Sequence, residues 1–182
     1  MATAHERGLA LRAARGEQEA FSEIVRAHQR AVFNVAYRLL GNARDAEDAA
    51  QEALLRAYQF FDKFDADRPL GPWLKRITVN VCLNRLERIP PAASLDEGLP
   101  PPPDPHPGPE AETVKRLHDE RIRKEILSLP PRYRVIIELR HFQELSYEEI
   151  ARELDRPLSD VKSDLFRARK LLAERLKDIV DQ

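Results

Sequence analysis

The chain has 182 residues, 42% hydrophobic and 34% charged, with a formal net charge of −1; this allows one ordinary domain or two small ones and excludes wholesale disorder. No run approaches the roughly 20 apolar residues of a membrane span, and the start, "MATAHERGLALRAARGE", lacks the basic flank and apolar stretch of a secretory signal, so a cytoplasmic chain without a membrane span is expected. The single cysteine, Cys82, excludes an internal disulfide and any zinc site of several thiolates, and within an apolar stretch it reads as a packing residue.

The net charge conceals a segregation along the chain. Between Asn42 and Asp67 there are seven acids (Asp45, Glu47, Asp48, Glu52, Asp62, Asp65, Asp67) and three bases; between Arg156 and Lys177 there are seven bases (Arg156, Lys162, Arg167, Arg169, Lys170, Arg175, Lys177) and three acids. Such a chain can hold a basic partner at one place and a polyanion at another.

In chain order, the first strong pattern starts at Phe21. Ile24, Val25, Ala31, Val32, Val35, Ala36 and Leu39 follow a helical period, and Gly41 stands where a left-handed cap ends a helix. Asn42 then predicts an N-cap, with Asp45 in the first turn of a helix that turns Ala46, Ala49, Ala50, Ala53, Leu54, Ala57 and Phe61 inward and shows Asp48, Gln51, Glu52 and Leu55 on the other side. After the loop "DKFDADRPLGP", Pro72 suits the first turn of a third helix running to about Arg88, with Trp73, Arg76, Asn80 and Asn84 on one stripe. Nine of the fourteen prolines fall between Pro90 and Pro109, in a stretch without lysine or arginine. That composition predicts an extended linker.

Beyond it, Pro131 reads as the N1 residue of a helix with Val135, Ile136, Leu139 and Phe142, and Ser146 with Glu149 forms a capping box for the next, which turns Tyr147, Ile150, Ala151 and Leu154 to one face. Asp155 to Leu158 turn the chain, and Ser159 is placed to cap a last helix. On that helix Val161, Leu165, Ala168 and Leu172 share the side for burial, while Ser159, Ser163, Phe166, Arg167 and Lys170 face away, flanked by Lys162 and Arg169 and, on the other side, by Asp160 and Asp164. Two helices about a tight turn, the second with small polar residues first and bases later, match a DNA-reading helix-turn-helix. A basic solvated face is the plainer alternative, but an outward phenyl ring at Phe166 is hard to explain by solvation. No strand pattern appears. The expected fold is all-α: an N-terminal helical bundle and a C-terminal helix-turn-helix domain joined by the Pro-rich linker.

These segments also carry a resemblance. "LPPRYRVIIELRHFQELSYEEIARELDRPLSDVKSDLFRARKLL" resembles the promoter −35 binding region of bacterial RNA polymerase sigma factors of the extracytoplasmic-function type; "DAEDAAQEALLRAY" resembles that family's core-polymerase-binding helix, and "PWLKRITVNVCLNRLER" its −10 region. The three occur in the family's order, and the two modules that hold them make up nearly the whole chain. The resemblance implies a region 2-like domain over residues 1–88, an acidic linker over 89–112 and a region 4-like domain over 113–182. It implies core-polymerase binding by Asp45, Asp48, Gln51 and Glu52; contact with and melting of the −10 element by Phe64, Trp73, Arg76, Asn80 and Asn84; and −35 contacts by Ser159, Lys162, Ser163, Phe166, Arg167 and Lys170. Aromatics can stack on unpaired bases, and serine, asparagine and arginine can read base edges. The partners implied are core RNA polymerase, promoter DNA and an anti-sigma factor, with no cofactor, no metal and no catalytic residue. Trp73 stands evenly between base stacking and core packing.

The sequence departs from the family at Asp164, where an arginine is frequent, and at Asp160, where a small residue or threonine is; both carboxylates are expected to repel phosphate. The −10 helix ends in "NRLERIPP" without a longer basic cluster, so affinity of the lone chain for DNA should be low. Two rival readings remain. A regulator that binds DNA without polymerase would form a dimer on palindromic duplex. A carboxylate di-iron enzyme would use Glu138 and His141, but it needs a second Glu-x-x-His pair that the chain lacks, which leaves those two as surface residues.

Overall fold

Thr3 opens the first helix of the computed structural model, which describes residues 2–88 and 111–177. Its hydroxyl accepts from the Glu6 amide at 3.1 Å while the Glu6 carboxylate accepts from the Thr3 amide at 3.1 Å, a reciprocal capping box that starts α1 (Ala4–Ala14). The apolar periodicity did not reveal this helix, because only Leu9, Ala10 and Ala13 are buried on it. α2 (Gln18–Leu40) carries Ile24, Val32, Val35, Ala36 and Leu39 into the core and ends at Gly41, whose φ of 88° no β-carbon would tolerate cheaply.

Asn42 caps α3 (Ala43–Gln59) by accepting from the Asp45 amide at 2.8 Å. Ala46, Ala49, Ala50, Ala53 and Ala57 are all buried, so small side chains let α2 and α4 pack closely against this helix; Leu54, expected with them, is only half-buried. A 3-10 turn (Phe61–Lys63) and a loop lead to α4 (Leu70–Arg88), which buries Leu70, Leu74, Val79, Val81, Cys82 and Leu86. Buried Thr78 is satisfied by donating to the Leu74 carbonyl at 2.8 Å. Helices α1 to α4 form the first of two compact units.

The second unit holds α5 (Ala111–Leu127), α6 (Pro131–Ile137), α7 (Tyr147–Glu153) and α8 (Leu158–Arg175). The linker expected over 89–112 lies outside the described residues up to 110, and α5 already starts at Ala111, inside its last positions. Pro131 is the first helical residue of α6, as its fixed φ and missing amide favour. The helix expected to continue through Phe142 instead widens into a π turn (Glu138–Phe142) and closes at Glu144, with φ 60°. Glu138 was expected at the surface; it is 1% exposed, and the Gln143 side chain donates to its carboxylate at 3.4 Å. His141 is exposed as expected.

The capping box of α7 is present: Ser146 Oγ accepts from the Glu149 amide at 3.2 Å, and Glu149 Oε2 accepts from the Ser146 amide at 2.7 Å. α8 buries Val161, Leu165 and Ala168, which pack with Ile136, Leu139 and Ile150 in the core of this unit, while Leu172 is half-buried. Ser159 does not cap α8. The helix begins at Leu158 with Pro157 in the cap position, and Ser159 is exposed, its hydroxyl 3.3 Å from Asp160 Oδ1. All described elements are helical, and no described helix is long and apolar enough to cross a membrane.

Candidate nucleic-acid interface and acidic docking face

Burial of Val161, Leu165 and Ala168 fixes what the other side of α8 presents. Ser159, Lys162, Ser163, Phe166, Arg167 and Lys170 are all exposed, and at their spacing they share one face, with Phe166 showing 70% of its surface. The structure thus brings the six predicted residues together. Asp164 does not join them. It is 4% exposed, and Arg156, in the turn before α8, donates to its Oδ2 at 2.7 Å. Asp164 therefore clamps the turn to the helix, and the expected repulsion of phosphate falls to Asp160 alone, which is exposed. Beside this face, Arg169 donates to the Tyr147 hydroxyl at 3.3 Å and the Arg140 guanidinium lies 5.4 Å from the Tyr147 ring. Though His141 is exposed, neighbouring protein partly desolvates its ring, and this, with the charges of Arg169 and Arg140, pushes its pKa below the ordinary value. Arg140 and Tyr147 were not foreseen near the site, since each belongs to a different element from α8.

In the first unit the rings form a chain. Trp73 lies 4.7 Å from Phe64 and 5.5 Å from Phe61, and Phe61 lies 5.5 Å from both Phe64 and Phe21. Phe61 is buried, whereas Phe64 and Trp73 are half-buried, so each packs one part and presents another. Along α4 from Trp73, the exposed Arg76, Asn80 and Asn84 continue one stripe at helical spacing. The loop carrying Phe64 is held from two sides: Asp65 Oδ1 accepts from the Asp67 amide at 3.1 Å, and Arg7 of α1 pairs with Asp67 at 2.8 Å.

The four acidic-face residues of α3 divide. Asp48 and Gln51 are exposed, followed one turn on by Leu55, 63% exposed. Asp45 is half-buried and its carboxylate accepts from the Asn42 side-chain Nδ2 at 2.6 Å. Glu52 reaches sideways: Arg85 of α4 donates to its Oε2 at 2.7 and 3.2 Å, and Arg56 donates to its Oε1 at 2.7 Å. These pairs, the Arg85 hydrogen bond foremost, hold its pKa below the ordinary carboxylate value. Among the described residues no group of three His, Cys, Asp or Glu side chains is placed to hold a metal.

Two family models match the chain. Residues 24–89 match Sigma-70 region 2 and residues 119–172 match Sigma-70 region 4. The ECF RNA polymerase sigma factor SigW of Bacillus subtilis is 36% identical over 182 aligned residues, covering 91% of this chain and 93% of that protein. A solved structure of CnrH in complex with the cytosolic domain of CnrY superposes with a TM-score of 0.64 at 26% identity, over 95% of this chain and 97% of that one. The sigma factor RpoE of Bartonella quintana, solved with the anti-sigma factor NepR, shares the fold at a TM-score of 0.63 and 22% identity, over 86% of this chain and 96% of that one.

Proposed function

The chain belongs to the extracytoplasmic-function sigma factors of bacterial RNA polymerase, and on that premise we propose which of its residues recognise promoter and polymerase. As a sigma subunit it directs transcription initiation by recognising promoters; the residue roles that follow are our reading. The C-terminal helix-turn-helix lays α8 against the −35 element. Phe166 packs on a base, with thymine's methyl the natural partner, Arg167 and the serines hydrogen-bond base edges, and Lys162 and Lys170 pair with phosphates. The N-terminal bundle docks on polymerase through Asp45, Asp48, Gln51 and Glu52. Its α4 stripe, Trp73, Arg76, Asn80 and Asn84, engages the −10 element, where the half-buried rings of Trp73 and Phe64 offer faces for stacking on an unpaired base. The boundaries 1–88, 89–112 and 113–182 stand as the proposed division of labour.

The observation that carries this reading is the exposed phenyl ring of Phe166 amid serines, lysines and arginine on a helix whose opposite side is core. The chain itself does no chemistry in this scheme; polymerase makes the RNA. We place it in the cytoplasm with core polymerase and promoter DNA, held in check by an anti-sigma factor, as the RpoE of Bartonella quintana is found with one. A library of −35 variants, transcribed by polymerase with the wild-type chain and with Arg167→Ala, tests the base-reading role. Loss confined to particular −35 positions supports it; equal loss on every sequence reduces Arg167 to a phosphate contact.

A further inference from the structure

Glu52 sits in an arrangement that a core-binding role does not explain. The Arg85 fork grips its Oε2 from α4 and Arg56 takes its Oε1 from α3. The same open groove, of about 400 Å3, is lined also by Asn84 and Arg88, while the Asp45 carboxylate at its edge is engaged by Asn42. Two guanidiniums therefore grip one carboxylate, and a third, that of Arg88, belongs to a residue lining the same groove. Arg85 Nε and Nη2 both donate to one carboxylate oxygen, and the same pair of N–H donors fits a phosphate oxygen equally well. Neither partner is sealed in: the side chains of Arg85 and Glu52 keep 29% and 35% of their surface. Asn84, from the stripe assigned to the −10 element, borders the groove.

We propose that the groove between α3 and α4 is a seat for a backbone phosphate of promoter DNA, held by Arg85 with Arg56 and Arg88, and that Glu52 fills it while the chain is alone. The proposal rests on the reading of α4 as the −10 helix and of α3 as the polymerase face: a polymerase surface that attracts Glu52 releases Arg85. The carboxylate is thus a competitor for the phosphate. Affinity for DNA becomes conditional on docking.

Binding of the isolated full-length chain to a fluorescent 15-nucleotide oligothymidine, across a salt series, tests this directly. Glu52→Gln should bind several-fold tighter than wild type and steepen the logarithmic salt dependence by about 0.7, the value for one added single-strand phosphate contact. Glu47→Gln removes the same charge from an exposed position on the same helix and should do neither. Adding Arg85→Ala to Glu52→Gln should abolish the gain. Should Glu52→Gln melt below the assay temperature, Glu52→Asp, which draws the carboxylate back from the fork, should shift binding in the same direction. A gain no larger than that of Glu47→Gln, or one that survives loss of Arg85, overturns the proposal. The −10 assignment fails on a different result: Trp73→Ala opening promoters as well as wild type in the holoenzyme.

Discussion

Phe166 leaves 70% of its surface in solvent, so truncating it should cost the fold nothing. Phe166→Ala is expected to keep the wild-type melting temperature and to weaken binding at particular −35 positions by about 1–3 kcal/mol; fluorescence anisotropy against a −35 library with the holoenzyme measures it. Asp164 should behave in the opposite way. Its pair with Arg156 is closed on the carboxylate side and partly open on the other, so Asp164→Ala should destabilise the C-terminal unit by about 1.5–3 kcal/mol in urea unfolding. Unchanged stability with tighter DNA binding would return Asp164 to the DNA face. A helical wheel sees only one helix, which is why it puts Ser159, Lys162, Ser163, Phe166, Arg167 and Lys170 on one exposed face but misses the burial of Asp164, whose partner stands in the preceding turn. Glu138 was misjudged for a related reason: its burial follows from the π turn, which no local period announces.

Helix ends were the most legible elements, because a cap is a local hydrogen bond between residues three apart. Asn42 with Asp45 and Ser146 with Glu149 show it. Ser146→Ala should cost about 1 kcal/mol of stability in the C-terminal unit, measured by thermal or urea unfolding. α1 carries the same signal at Thr3 and Glu6 and went unread, since three buried residues make too faint a stripe to mark a helix. The tie between α3 and α4 was not legible at all: Glu52 and Arg85 are 33 residues apart. Its pH dependence has a definite sign. Glu52 titrates lower in the folded chain than its ordinary 4.5, so the stability it adds is fully present above that value and is lost as pH falls through the depressed folded value. In urea unfolding at a series of pH values, wild type should therefore be more stable than Glu52→Gln above the ordinary carboxylate pKa, and that difference should shrink as pH falls through the depressed value of Glu52.

At the scale of the molecule, the two-part organisation was written in the proline run between Pro90 and Pro109, which interrupts helical periodicity on both sides. The segregation of charge, acids on α3 and bases on α8, gave the second clue, and both domains then match sigma regions in order. What composition alone left open was the partner, because a helix-turn-helix serves regulators as well as sigma subunits. The linker has its own test. Replacing Asp96, Glu97, Asp104, Glu110 and Glu112 by Asn or Gln should alter the ratio of abortive to full-length transcripts if this acidic stretch acts within polymerase, and an unchanged ratio would remove that role. The central claim meets its most direct test in run-off transcription by purified bacterial core polymerase on a promoter library, with and without the chain. The account predicts selective initiation from a subset of promoters sharing −10 and −35 sequences, only when the chain is present. Initiation that the chain does not change, with the chain alone binding palindromic duplex as a dimer, would contradict it.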